Sequence, residues 1–144
     1  LGDGARARSG LMGMAGTRSM RQVLAGAAAG DAHCILARDV YIHRLVFQLH
    51  GHIGLLSRAP DAIVFTGGVG EASAIVRSLA CSPLLSASLD VSANRDDEVA
   101  AALARHGYAD ISSGKGDIRL LVVSTNEEAY IAAQAYRATR GDGW

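Results

Sequence analysis

The chain has 144 residues, 49% hydrophobic and 19% charged, with 14 Lys and Arg against 14 Asp and Glu. This composition is too apolar for a disordered segment, and a net charge of zero lacks the basic excess of a nucleic-acid binder. No apolar run approaches the roughly 18 residues of a membrane span, and two cysteines, Cys34 and Cys81, are too few for a disulfide scaffold and read as reduced cytosolic thiols.

Residues 1–18 are rich in Gly, Arg and Ser and are expected to be mostly loop. They hold one short apolar stretch, Leu11–Met14, and a solvated tail with Arg6 and Arg8. Thr17 or Ser19 is placed to cap a helix carrying Met20, Val23 and Leu24, which ends at Gly30. Asp31 is a second N-cap. After it Ile35, Ile42, Val46, Leu49, Ile53 and Leu56 recur at threes and fours, predicting a long amphipathic helix that Pro60 stops. Ala62–Phe65 is short, partly β-branched and continuously apolar, the pattern of a strand buried on both faces. Thr66–Glu71 predicts a turn and Ser73–Leu79 a short helix. Residues 83–94 predict a loop with a short strand near Ser88–Val91. Asp96–His106 is an alanine-rich helix with Gly107 as its stop, and Ile118–Val123 is a second buried strand. Thr125–Glu128 turns the chain into a last helix, Glu128–Thr139, and Gly141–Trp144 is a frayed end.

This order is that of the α/β class, with parallel strands and helical crossovers. Two all-apolar strands, with at most a short third, would leave such a sheet with an unpaired edge. The sheet is therefore expected to be incomplete within this chain, and the chain to be the C-terminal portion of a longer protein.

Three stretches could carry chemistry. Gly67-Gly68-Val69-Gly70-Glu71 follows the first strand, where glycines admit close backbone approach and where ligands of open α/β sheets bind. The spacing is neither a dinucleotide fingerprint nor a Walker A loop. A turn that only relieves crowding explains it equally well. Thr125-Asn126-Glu127-Glu128 follows the second strand, and a carboxylate there could hold Mg²⁺. Helix capping by Thr125 or Asn126 explains the same residues. Ser19-Met20-Arg21 places an arginine at a helix start, suited to a phosphate or a base, or simply to the surface. The glycine loop and the acid cluster fall at one sheet edge, which favours a nucleotide–metal pocket. His43, His50 and Asp39 share a helical face without metal-ligand spacing and read as a polar face. Cys34 and Cys81 read as packing residues.

On these residues the sequence resembles the C-terminal part of the acetate kinases, the acetokinase group of the actin-like ATPases. Ser9–Gly16 is similar to the family's Ser-Gly-Leu-Leu-Gly-Leu-Ser-Gly, and Ser19-Met20-Arg21 stands where the family has Asp-Met-Arg. Asp61–Glu71 is close to Asp-x-Ile-Val-Phe-Thr-Gly-Gly-Ile-Gly-Glu, and Leu89-Asp90 with Asn94 to Leu-Asp-x-x-x-Asn. Ile111-Ser112-Ser113 precedes the last strand as in the family, and Thr125-Asn126-Glu127-Glu128 matches Thr-Asn-Glu-Glu. The matches are collinear over residues 9–139. Three residues depart: Ser19 for Asp, Ala72 for Asn and Ser124 for Pro.

The resemblance implies an RNase H-like fold with a helical segment, 1–58, lining the nucleotide pocket and an α/β nucleotide-binding core, 59–144. It implies reversible transfer of the ATP γ-phosphoryl to acetate, giving acetyl phosphate and ADP, in a cytoplasmic homodimer without nucleic-acid or membrane partners. Ser19, Met20, Arg21, Gly67, Gly68, Val69, Gly70 and Glu71 would contact ATP or ADP, and Glu127 would help hold Mg²⁺. No catalytic residue is expected in this chain, because the acetate pocket and the reaction centre belong to the family's other portion. The isolated chain is therefore expected not to turn over. A propionate kinase portion and a non-catalytic nucleotide-binding module are the alternatives.

Overall fold

The computed structural model describes residues 9–84, 89–90, 92–125 and 127–140, with the side chains of 127–129 and 140 outside that description. Arg6, Arg8 and Gly141–Trp144 lie outside the described residues.

Three helices open the fold. Helix α1 spans Gly10–Ala15 and ends at Gly16, where a loop was expected. Its sequence contains two glycines and has poor helix propensity, but tertiary packing overrides propensity here. Leu11, Met14 and Ala15 pack against a cluster of Met20, Val23, Ala37 and Val76. Helix α2 spans Met20–Ala28, and Ser19, not Thr17, is its N-cap, accepting from the Gln22 N–H at 3.4 Å. The Thr17 hydroxyl instead accepts from the Ser19 N–H at 3.1 Å and donates to the Gln22 side chain.

Helix α3 spans Ala32–Gly54. Asp31 caps it, accepting from the Cys34 N–H at 2.8 Å, and that bond holds the Asp31 carboxyl below its ordinary pKa. The helix stops before Pro60, and Leu56 is exposed beyond its end. Its apolar stripe serves two clusters in succession. Tyr41, Ile42 and Leu45 pack on the Met20–Val23 cluster, and Leu49 and Ile53 on the sheet cluster.

The sheet has three strands: β1 (Ala62–Phe65), β2 (Tyr108–Asp110) and β3 (Arg119–Val123), in the order β1-β3-β2. β1 pairs parallel to β3 with Ile63 opposite Leu120, and β2 pairs antiparallel to β3 with Ala109 opposite Val122. The sheet is therefore mixed, not all-parallel. β2 escapes a sequence reading because Tyr-Ala-Asp has no apolar run; its pairing alone makes it a strand. Burial of the strands also departs from expectation. Ile63, Leu120 and Val122 are buried, whereas Val64 is 51% exposed. Alternate residues, not whole strands, enter the core with Val99, Ala109, Ile111 and Ile118.

Four more helices complete the described fold: α4 (Gly67–Ala72), α5 (Ala74–Cys81), α6 (Asp96–His106) and α7 (Glu127–Arg140). Gly107, at φ 75°, takes the left-handed cap that ends α6. The expected strand near Ser88–Val91 reduces, among the described residues, to one bridge between Leu89 and Ser112; residues 85–88 and 91 lie outside them. Among the described residues no helix is long and apolar enough to cross a membrane.

Helices α2 and α3 pack so closely that a Cβ on Gly26 would lie 2.5 Å from Cys34 Sγ and 3.0 Å from its Cβ. Alanine favours a helix interior by about 1 kcal/mol over glycine, but overpacking costs about 1–3 kcal/mol. Gly26→Ala is expected to lower stability by about 1–2 kcal/mol in urea unfolding, with partial recovery on adding Cys34→Ala. A stabilised Gly26→Ala would show that the helices separate freely.

Candidate functional site

At the carboxyl end of β1 the chain turns through Thr66 into α4. Gly67 opens that helix at φ 71°, a backbone state that strains any side chain with a Cβ. A short helix thus replaces the expected turn. Beside it lies a cavity of about 600 Å³, within the range of small-ligand pockets. Ser19, Met20, Arg21, Gly68 and Val69 line it together with Ala72, Ser73, Ile75 and Asp96. Two stretches nearly fifty residues apart in sequence, both singled out above, therefore form one wall-to-wall site. Met20 is also a core residue, 7% exposed, so it shapes the cavity floor while Arg21 is exposed.

Gly67, Gly70 and Glu71 are not among the lining residues. The Gly67 N–H donates to Glu71 Oε1 at 2.9 Å. A Cβ on Gly70 would sit 3.4 Å from the Phe65 backbone, so glycine lets α4 close onto β1. The same Glu71 oxygen accepts from the Thr125 N–H at 3.1 Å and the Thr125 hydroxyl at 3.0 Å. Glu71 thus joins the glycine stretch to the β3–α7 turn.

Arg77 holds this arrangement from beneath. It is fully buried, and each of its donors has an acceptor. Nε donates to Asn94 Oδ1 at 2.6 Å, Nη1 to the carbonyls of Gly70 at 2.8 Å and Glu71 at 2.9 Å, and Nη2 to Asn94 O at 2.9 Å and Asp96 Oδ1 at 3.1 Å. Asn94 in turn donates from Nδ2 to Ala74 O and Ser78 Oγ. Asp90 places Asn94 by accepting from the Ser92 hydroxyl and the Ser92 and Ala93 N–H groups, bonds that lower the Asp90 pKa. Asp96 also accepts from the Ala74 N–H at 2.6 Å. Burial pulls the Arg77 guanidinium below its ordinary pKa, and the Asp96 carboxylate opposes that.

Sequence reasoning overlooked Arg77, although a signal exists. Ser73, Val76, Arg77, Ala80 and Cys81 are all buried and follow the i, i+3, i+4, i+7, i+8 stripe of a helix. A charged residue on such a stripe requires internal partners. Burial also pushes the Cys81 thiol up to about 11. Both cysteines are free, as expected of packing residues.

Asn126 and the Glu127 side chain lie outside the described residues; the backbone places Glu127 at the start of α7. Among the described residues no group of three potential ligands surrounds a metal position. Asp39 pairs with Arg38 at 2.8 Å and His50 lies against the Val46 carbonyl, in keeping with a polar helix face.

The family model of the acetokinases matches residues 5–133. The chain belongs to the acetokinase family. It is 33% identical over 135 residues to the acetate kinase of Treponema pallidum, covering 93% of this chain and 30% of that protein. The crystal structure of Porphyromonas gingivalis acetate kinase superposes with a TM-score of 0.73 at 25% identity, over 88% of this chain and 31% of the other. That of a propionate kinase from Francisella tularensis does so with a TM-score of 0.70 at 32% identity, over 84% and 29%. The chain thus spans about a third of the length of the relatives it matches, and its α/β fold is the corresponding part of the acetokinase fold.

The three departures from the acetokinase pattern have distinct consequences. Serine caps a helix about as well as aspartate, so Ser19 keeps the α2 cap while removing a charge from the cavity wall. Ala72 lines the cavity without a polar group. Ser124 donates its N–H to Gly107 O at 2.9 Å, a bond that proline could not make.

Arg77→Met is expected to lower unfolding stability by about 3–5 kcal/mol, because buried carbonyls and Asn94 lose their donors. Arg77→Lys is expected to lose less, retaining the charge with fewer donors. Urea midpoints check the order. Equal loss in both would show that a charge without the fork retains nothing, and an Arg77→Lys as stable as the unsubstituted chain would show that the fork geometry is immaterial.

Proposed function

We propose that this chain is the ATP- and Mg²⁺-binding part of an acetokinase that reversibly transfers the ATP γ-phosphoryl to acetate. The observation that carries the reading is the cavity where Ser19, Met20 and Arg21 face Gly68 and Val69. Its volume suits a nucleoside, its walls are mixed apolar and polar, and Arg21 offers a guanidinium to a phosphate or a purine face. In this reading Gly67, Gly70 and Glu71 complete the nucleotide site from behind its wall. Glu127 stands at the carboxyl end of the sheet, where a metal-bound phosphate tail would lie. Mg²⁺ would supply charge neutralisation, which is most of what phosphoryl transfer asks of its surroundings.

The acceptor of the family is a short carboxylate. Propionate is the second reading, supported by the 32% identity to a solved propionate kinase. Two free thiols, one of them buried, fit a reducing cytoplasm. In the homodimeric full enzyme the acceptor pocket and reaction centre would come from outside this chain.

Calorimetric titration of the chain with ATP, with and without Mg²⁺, tests the proposal. Saturable binding is expected. Arg21→Ala should weaken it about tenfold, as loss of a charge-assisted contact does. Glu127→Ala should remove the Mg²⁺-dependent gain and leave metal-free binding nearly unchanged. The chain mixed with ATP and acetate is expected to form no acetyl phosphate. No binding at millimolar ATP would overturn the nucleotide reading, and steady turnover would overturn the assignment as a partial catalyst.

A further inference from the structure

The Glu71 side chain ties together the backbone leaving two strands at the carboxyl edge of the sheet. Its Oε1 receives three donors: the Gly67 N–H at 2.9 Å, the Thr125 N–H at 3.1 Å and the Thr125 hydroxyl at 3.0 Å. Gly67 follows β1 and Thr125 follows β3, which are parallel neighbours. Glu71 is only part-exposed and does not line the cavity, while Gly68 and Val69 of the same helix do. Its main-chain carbonyl is held separately by Arg77 at 2.9 Å. The backbone of α4 is thus pinned from below, and its carboxylate is directed sideways to the neighbouring turn.

We propose that Glu71 is a positioning residue that couples the nucleotide cavity to the chain leaving β3 at Thr125, ahead of Glu127, through hydrogen bonds to Thr125 and not by touching nucleotide. The proposal rests on the nucleotide reading above and deepens it. The chemistry favours a carboxylate. An ionised oxygen accepts several donors at once and binds each more strongly than an amide oxygen does. Thr125 contributes two of the three donors, so a β-branched residue without a hydroxyl keeps the packing and loses one bond. The coupling has a direction that can be read. If α4 and the Thr125 turn move as one unit, the gain in ATP affinity from Mg²⁺ depends on Glu71. If they are independent, Glu71 changes stability alone.

The test uses the full chain as Glu71→Gln, Thr125→Val, Thr125→Ser and the double variant Glu71→Gln/Thr125→Val. Urea unfolding reads the link itself. The double variant is expected to fall short of the sum of the singles by about fivefold in the unfolding constant, as contacting residues do. ATP titration with and without Mg²⁺ reads its consequence. Glu71→Gln and Thr125→Val are each expected to cut the Mg²⁺-dependent gain about tenfold or more, and Thr125→Ser to restore it. Additive unfolding effects overturn the link. Coupled unfolding with an unchanged Mg²⁺ gain in the variants overturns the positioning role and leaves the nucleotide reading standing. Absence of ATP binding by the unsubstituted chain overturns that reading and the coupling with it.

Discussion

A buried guanidinium organises this molecule. Arg77 has no solvent contact, and its five N–H donors reach acceptors on α4, on the Asn94 loop and on the first residue of α6. A buried charge persists only with such partners, and only arginine offers donors spread in a rigid plane without readily losing its proton. The consequence is geometric. The carbonyls of Gly70 and Glu71 point inward, so the opposite side of α4, with Gly68 and Val69, forms cavity wall. The short helix has few apolar contacts to hold it, and the arginine supplies what they do not.

Around that hub the fold is a three-strand sheet and two apolar clusters spanned by one long helix. α3 packs its middle on the Met20–Val23–Val76 cluster and its last turns on the sheet core. The helical first part of the chain and the later α/β part therefore share both clusters. This is why Ser19–Arg21 and the glycine stretch lie at a fixed distance across the cavity. The cavity is built between elements, not within one motif.

Much of this was legible in the residues. Asp31 and Gly107 announced the ends of their helices because capping chemistry is local. The Ala62–Phe65 and Ile118–Val123 runs announced their strands because they are short, bounded by turn residues and rich in β-branched and large aliphatic side chains. Other features resist such a reading for physical reasons. α1 contains glycines and forms because Leu11 and Met14 find partners far along the chain. β2 is a strand by pairing alone. Val64 looks buried in sequence and is half-exposed, because side-chain alternation decides burial and only the assembled layers show which face is covered. Gly67–Ala72 looked like a turn because three glycines lower helix propensity; the engaged Gly67 N–H and the Arg77-bound carbonyls make it a helix.

The length and composition of the chain, its caps and its strands determined the α/β class, and its collinear motifs determined the family. Those signals are short-range, and 144 residues hold enough of them to be specific. What only the tertiary structure decided is how the motif residues divide their work. Gly68 and Val69 face the cavity, Gly67 and Gly70 serve the backbone of α4, and Glu71 reaches across to Thr125. Five adjacent residues carry three different roles. Direction in space separates them, and direction is set by the buried Arg77, which lies outside the glycine motif.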